Sequence, residues 1–124
     1  MNIWSMDIKR NEYPILIIGN GKLAYSVTVC LLSAGHKVTL VTDNKDEAAE
    51  GINNHFLDIA RFSDGGGKAR LPEIAGFDDR NAGGYEIGIG ITSENLSEKR
   101  SVIHRLEGSV QPGGVIAINT ESIP

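Results

Sequence analysis

The sequence predicts an α/β fold, a doubly wound parallel sheet (Rossmann-like) of about five strands with helices on both faces. Three observations predict it. Short apolar runs alternate along the chain with apolar stripes at helical spacing, the pattern of strands joined by helical crossovers. The first run, Ile15-Leu16-Ile17-Ile18, is unbroken, as a strand covered on both faces requires. Glycine occupies 15 of 124 positions, above the usual ~7%, and gathers where the runs end.

A chain of 124 residues and 13.3 kDa predicts one domain spanning residues 1–124. Residues 1–13 are polar and mixed and read as a loosely ordered leader. From Ile15 the first strand runs to Gly19. Leu23, Val27, Cys30, Leu31 and Ala34 then form one helical stripe, stopped by Gly35. Lys37 to Thr42 is rich in β-branched residues and predicts a second strand. Asp43 or Asn44 can cap the next helix, expected from about 45 to about 62 with Ala49, Ile52, Phe56 and Ile59 inward. A short strand is expected within Leu71–Phe77, then loop from Asp78 to Gly84.

Ile87, Ile89 and Ile91 alternate with Gly88 and Gly90, a strand with one bare face open to close approach. Asn95-Leu96-Ser97-Glu98 carries a capping residue with Glu three places on. Leu96, Ile103, Leu106 and Val110 form the stripe of the helix that follows, expected to end at Pro112-Gly113-Gly114. Val115–Asn119 is the last strand. The strand order expected is 3-2-1-4-5, with ligands bound where the order reverses between strands one and four. The loops that meet there are Gly19–Leu23 and Thr92–Asn95.

Gly19-Asn20-Gly21-Lys22-Leu23-Ala24 is a G-x-G-x-x-A turn that follows a strand and opens a helix. That context predicts dinucleotide binding. Gly19 allows the tight turn, Gly21 lets a pyrophosphate approach the backbone, and Ala24 lets the helix pack closely. The helix N-terminus adds free N–H groups and partial positive charge. The acid that holds the adenosine ribose is expected some twenty residues on; Asp43, preceded by Thr42, lies 19 residues beyond Ala24. With no arginine nearby and Lys45 the nearest base, the reading favours NAD over NADP.

The segment PILIIGNGKLAYSVTVCLLSAGHKVTLVTDN resembles the start of the 3-hydroxyacyl-CoA dehydrogenase NAD-binding domain. Glu94-Asn95-Leu96-Ser97-Glu98-Lys99, followed by Leu106, Val110, Pro112 and Asn119-Thr120, is similar to that family's E-N-L-x-x-K…L…V-x-P…N-T-S. The two matches cover residues 14–44 and 86–123. The resemblance implies that the Gly19–Ala24 turn holds the diphosphate. It implies that Glu94 and Lys99 lie beside the nicotinamide half, and that Asn119 and Thr120 border the reacting end.

The departures are specific. The family's acid after strand two aligns with Thr42, which puts Asp43 one place late. Ala24 replaces the last motif glycine, Gly90 an acid in strand four, and Glu121 the serine after N-T. The family's catalytic histidine, its partner glutamate and its helical domain align beyond Pro124. The resemblance therefore implies a cofactor domain with no catalytic residue of its own, an acyl-CoA substrate being met only together with that further domain.

Other features narrow the function. Net charge is −4, which disfavours a nucleic-acid surface. No apolar run reaches the ~18 residues of a membrane helix. A single cysteine, Cys30, fits a reducing, cytoplasmic setting and is expected in the core. His36, His55 and His104 show no metal spacing and read as structural, His55 on the polar side of its helix. Trp4 in the leader suggests a docking contact, and a homo-oligomer stays open. The alternatives to a dehydrogenase cofactor domain are a nucleotide-sensing regulatory module and a decayed domain serving as an interaction surface.

Overall fold

The computed structural model describes residues 14–60, 72–77, 83–93 and 95–119. Its elements are β1 (Pro14–Gly19), α1 (Gly21–Ser33), β2 (Lys37–Thr42), α2 (Lys45–Ala60), β3 (Glu73–Gly76), β4 (Tyr85–Ile91), α3 (Leu96–Ser109) and β5 (Val110–Ile118). The sheet order is β3-β2-β1-β4-β5, and every neighbouring pair is parallel. The expected doubly wound topology is the observed one. Expectations placed on residues 1–13, 61–71, 78–82, Glu94 and 120–124 lie outside the described residues.

β1 runs through the middle of the sheet, and its side chains alternate between two cores. Ile15 and Ile17 join α1 and α2 on one face, with Ala24, Tyr25, Val29, Leu32, Ala48 and Ile52. Leu16 and Ile18 meet Val102 and Leu106 of α3 on the other. An unbroken apolar run is what such two-sided burial selects.

Three helical faces differ from the expected stripes. In α1 the buried residues are Ala24, Tyr25, Thr28, Val29 and Leu32. Leu23 is 46% exposed, Val27 and Leu31 are half-buried, and Cys30 and Ala34 are exposed, so Cys30 is not a core residue. The reason is that this helix lies down on its small side. Ala24 allows close approach, and the Thr28 hydroxyl is satisfied by the Ala24 carbonyl at 2.8 Å, which removes the cost of burying it. In α2 the buried positions are Ala48 and Ile52, with Phe56 half-buried and Ala49 exposed. A Cβ on Gly51 would lie 2.6 Å from the Tyr25 ring, so the two helices meet through an aromatic laid over a glycine.

In α3 the buried residues are Val102 and Leu106, while Ile103 is half-buried and Leu96 is 62% exposed. The bare glycine face of β4 explains the choice. A Cβ on Gly88 would lie 2.8 Å from Leu106, and one on Gly90 would lie 2.8 Å from Val102. The close approach that the glycines allow is therefore made by this helix, not by a ligand.

The helix ends are built from local chemistry. Gly35 has φ +97°, and the amides of Gly35 and His36 return to the carbonyls of Leu32 and Leu31, closing α1 with a Schellman turn. Asn95 caps α3 by accepting the Glu98 amide at 3.1 Å. Pro112-Gly113-Gly114 does not end that helix. α3 stops at Ser109, and the Pro-Gly-Gly segment forms an irregularity in β5 between the pairs Tyr85–Val110 and Ile87–Val115. Gly113 takes φ +83°, and Gly114 sits where a Cβ would meet the Glu86 carbonyl at 2.8 Å. Among the described residues no helix is long and apolar enough to cross a membrane.

Candidate functional site

β1 and β4 are adjacent and parallel, with Gly19 opposite Ile91. The chain leaves β1 toward α1 and leaves β4 toward α3, so the order of connections reverses between these two strands. The glycine turn and Thr92-Ser93 emerge there side by side.

The positive φ of the turn falls on Gly21, at +88°, with nothing within 4 Å of where a Cβ would stand. Gly19 has another role than the expected tight turn. A Cβ there would lie 2.6 Å from the Ile91 carbonyl oxygen, so Gly19 is small because β4 is close. Lys22 and Leu23 are exposed on the first turn of α1, and Ala24 is fully buried beneath it.

Asn20 occupies the N-cap position of α1 but makes no side-chain cap. Its carboxamide reaches β2 instead. The Oδ1 atom accepts from Thr42 Oγ1 at 2.6 Å and from the Asp43 amide at 2.8 Å, and Nδ2 donates to Asp43 Oδ2 at 2.9 Å. The first amides of α1 thus receive no oxygen from the Asn20 side chain and keep their attraction for an anion. Asn44, not Asp43, caps α2 by accepting the Glu47 amide at 3.1 Å. Asp43 is exposed, with its carboxylate held toward the glycine turn.

At the other side of the switch point, Asn119 binds Thr92 in both directions. Its Oδ1 accepts the Thr92 amide at 2.8 Å, and its Nδ2 donates to the Thr92 carbonyl at 2.9 Å. Lys99 Nζ donates to the Asn119 carbonyl at 3.3 Å, which places the ammonium at the carboxyl end of β5. Ser93 Oγ donates to Glu98 Oε2 at 2.5 Å, tying the loop to the first turn of α3.

The structure therefore brings Gly19, Asn20, Gly21, Lys22, Leu23, Ala24, Thr42 and Asp43 together around one turn, and Lys99 with Asn119 at the neighbouring strand ends. Thr92 and Ser93 are the residues of this loop to which the sequence reading gave no role. Their position directly after the Ile-Gly alternation was the available signal. None of the three histidines lies here. His36 precedes β2 at the opposite, amino-terminal end of the strands, and His104 is exposed on α3. His55 is half-buried rather than on the polar side of its helix, because its Nε2 lies 2.7 Å from Ser26 Oγ of α1. Among the described residues no group of His, Cys, Asp and Glu is arranged to hold a metal ion.

A parallel sheet with this strand order, an uncapped glycine turn at its reversal and an acid after β2 defines a Rossmann-type dinucleotide-binding domain. The chain belongs to the 3-hydroxyacyl-CoA dehydrogenase family, whose NAD binding domain profile matches residues 14–124. Among solved structures, the dehydrogenase part of multifunctional enzyme 1 from C. elegans is similar at a TM-score of 0.71 and 18% identity, over 92% of this chain and 27% of that one. Coclaurine N-methyltransferase bound to N-methylheliamine and SAH is similar at a TM-score of 0.54 and 16% identity, over 92% of this chain and 34% of that one. Both likenesses concern the fold. The chain spans about a quarter to a third of the length of these two structures. No curated protein matches the sequence.

Proposed function

We propose that this domain binds NAD in preference to NADP, with the diphosphate on the Gly19–Ala24 turn and the adenosine ribose on Asp43. The observation that carries the reading is Gly21. It combines φ +88° with open space at the Cβ position, beside helix amides that the N-cap residue Asn20 leaves uncapped. The donors suit a diphosphate, since backbone N–H groups and the helix dipole both favour negative charge there. Asp43 suits a ribose, since a carboxylate accepts from hydroxyls and repels a 2′-phosphate. Lys22 and Leu23 flank the diphosphate site, and Thr42 sets the floor beneath the ribose.

Lys99 and Asn119, with Glu94 from outside the described residues, would border the nicotinamide half. The bound cofactor would supply hydride acceptance, and the reaction we propose for the whole protein is oxidation of a 3-hydroxyacyl thioester, which we assign to fatty-acid metabolism in the cytoplasm. The described residues bring no histidine to this site, so their contribution is to bind and orient the cofactor. Titration of the chain with NADH, followed by fluorescence or calorimetry, tests the reading. Saturable binding is expected at modest affinity. No saturation by about 1 mM, roughly 4 kcal/mol of binding free energy, overturns it.

A further inference from the structure

Asp43 follows the end of β2 on an exposed loop, where a lone carboxylate has several rotamers open to it. Holding it toward the glycine turn requires a partner on the turn itself. Asn20 is that partner. Its orientation is fixed by chemistry rather than by choice. The Asp43 amide can only donate, so the atom facing it must be the carboxamide oxygen, and the nitrogen then faces the carboxylate. Thr42 Oγ1, on a fully buried side chain, anchors the same oxygen from below at 2.6 Å. Asn20 is thus held at one end by the strand and holds the carboxylate at the other.

We propose that Asn20 is a positioning residue for dinucleotide selectivity. It fixes the Asp43 carboxylate where two vicinal ribose hydroxyls can donate to it and where a 2′-phosphate meets its charge. The inference rests on the dinucleotide reading above. The carboxylate has about four acceptor sites, and Asn20 takes one on Oδ2, leaving room for both hydroxyls. Asn44 caps α2, so the helix makes no competing demand on Asp43. The asparagine also accounts for the bare N-terminus of α1, because a side chain engaged with β2 cannot cap its own helix.

The test is the ratio of NADH to NADPH affinity in wild type, Asn20→Ala, Asp43→Asn and the double variant, measured by fluorescence titration with folding checked by circular dichroism. Asn20→Ala is expected to lower the ratio about tenfold, the size of one lost hydrogen bond to a charged group. The loss should fall on NADH, with NADPH binding unchanged or tighter. In the Asp43→Asn background the asparagine should matter little. If Asn20→Ala does not fold, Thr42→Val removes the anchor instead and should lower the ratio in the same direction. Equal weakening of both cofactors, or an unchanged ratio, overturns the proposal while leaving the dinucleotide reading intact. A wild-type chain that binds neither cofactor overturns both.

Discussion

Asn119 and Thr92 exchange hydrogen bonds in both directions across the ends of β5 and β4, amide to Oδ1 at 2.8 Å and Nδ2 to carbonyl at 2.9 Å. A side chain here does the work of a strand pair one residue beyond the sheet, and it holds the loop that leads to α3. Asn119→Ala leaves the partly buried Thr92 amide and carbonyl unpaired. The expected loss is about 1–3 kcal/mol of unfolding free energy. Urea denaturation with an unchanged slope would show it, and a loss within ~0.3 kcal/mol would remove the structural role.

The glycine face of β4 makes a second prediction. Gly90→Ala places a Cβ 2.8 Å from Val102 and 3.2 Å from Leu106, inside a packed core. Overpacking of this kind costs about 1–3 kcal/mol. Gly83→Ala, where nothing lies within 4 Å, serves as the control and should stay within about 0.5 kcal/mol. Thermal melts of the two variants should separate clearly, and similar melts would mean that α3 can shift to accept the methyl.

Gly21→Val adds a branched side chain at φ +88°, where we propose that the diphosphate binds. Backbone strain alone costs roughly 1–2 kcal/mol. A folded Gly21→Val chain is expected to lose saturable NADH binding, and retention of wild-type affinity would move the diphosphate away from this turn.

Ser26 and His55 join α1 to α2 through a half-buried contact of 2.7 Å. Ser26→Ala and His55→Ala should each cost about 1 kcal/mol. Because the two side chains share one hydrogen bond, the double variant should cost less than the sum of the singles, with a coupling of about 0.5–1.5 kcal/mol. Strict additivity in urea titrations would show that the pair contributes nothing jointly.

The purified 124-residue chain is expected not to oxidise 3-hydroxyacyl-CoA with NAD, since no described histidine stands at the carboxyl ends of β1 and β4. A positioned general base contributes ~10²–10⁴-fold and must lie within hydrogen-bond reach of the hydroxyl. Turnover above a protein-free control, followed at the NADH absorbance, would overturn this expectation.

The succession of strands and helices was legible in the sequence, as were the glycine turn, the Gly35 stop and the Asn95 cap. Each depends on residues within a few places of one another: an unbroken apolar run, a residue free to take positive φ, a carboxamide three residues before an amide. That an acid follows β2 was legible by spacing alone, and the structure turns its carboxylate toward the glycine turn. Which face each helix buries was not. Leu23, Cys30 and Leu96 fit an apolar stripe and yet face outward, because α1 seats Ala24 and Thr28 on the sheet and α3 seats Val102 and Leu106 on Gly88 and Gly90. Hydrophobic spacing counts apolar atoms, whereas close packing is decided by where the facing surface has room.

The bonds from Asn20 to Thr42 and Asp43 show the same division. By itself the sequence determined that a glycine turn follows β1 and that an acid follows β2. Only the tertiary structure decided that Asn20 gives up its own helix cap to hold that acid. The pairing of Ile18 with Val41 brings the ends of the two strands together, and no local pattern encodes a hydrogen bond between residues 23 places apart.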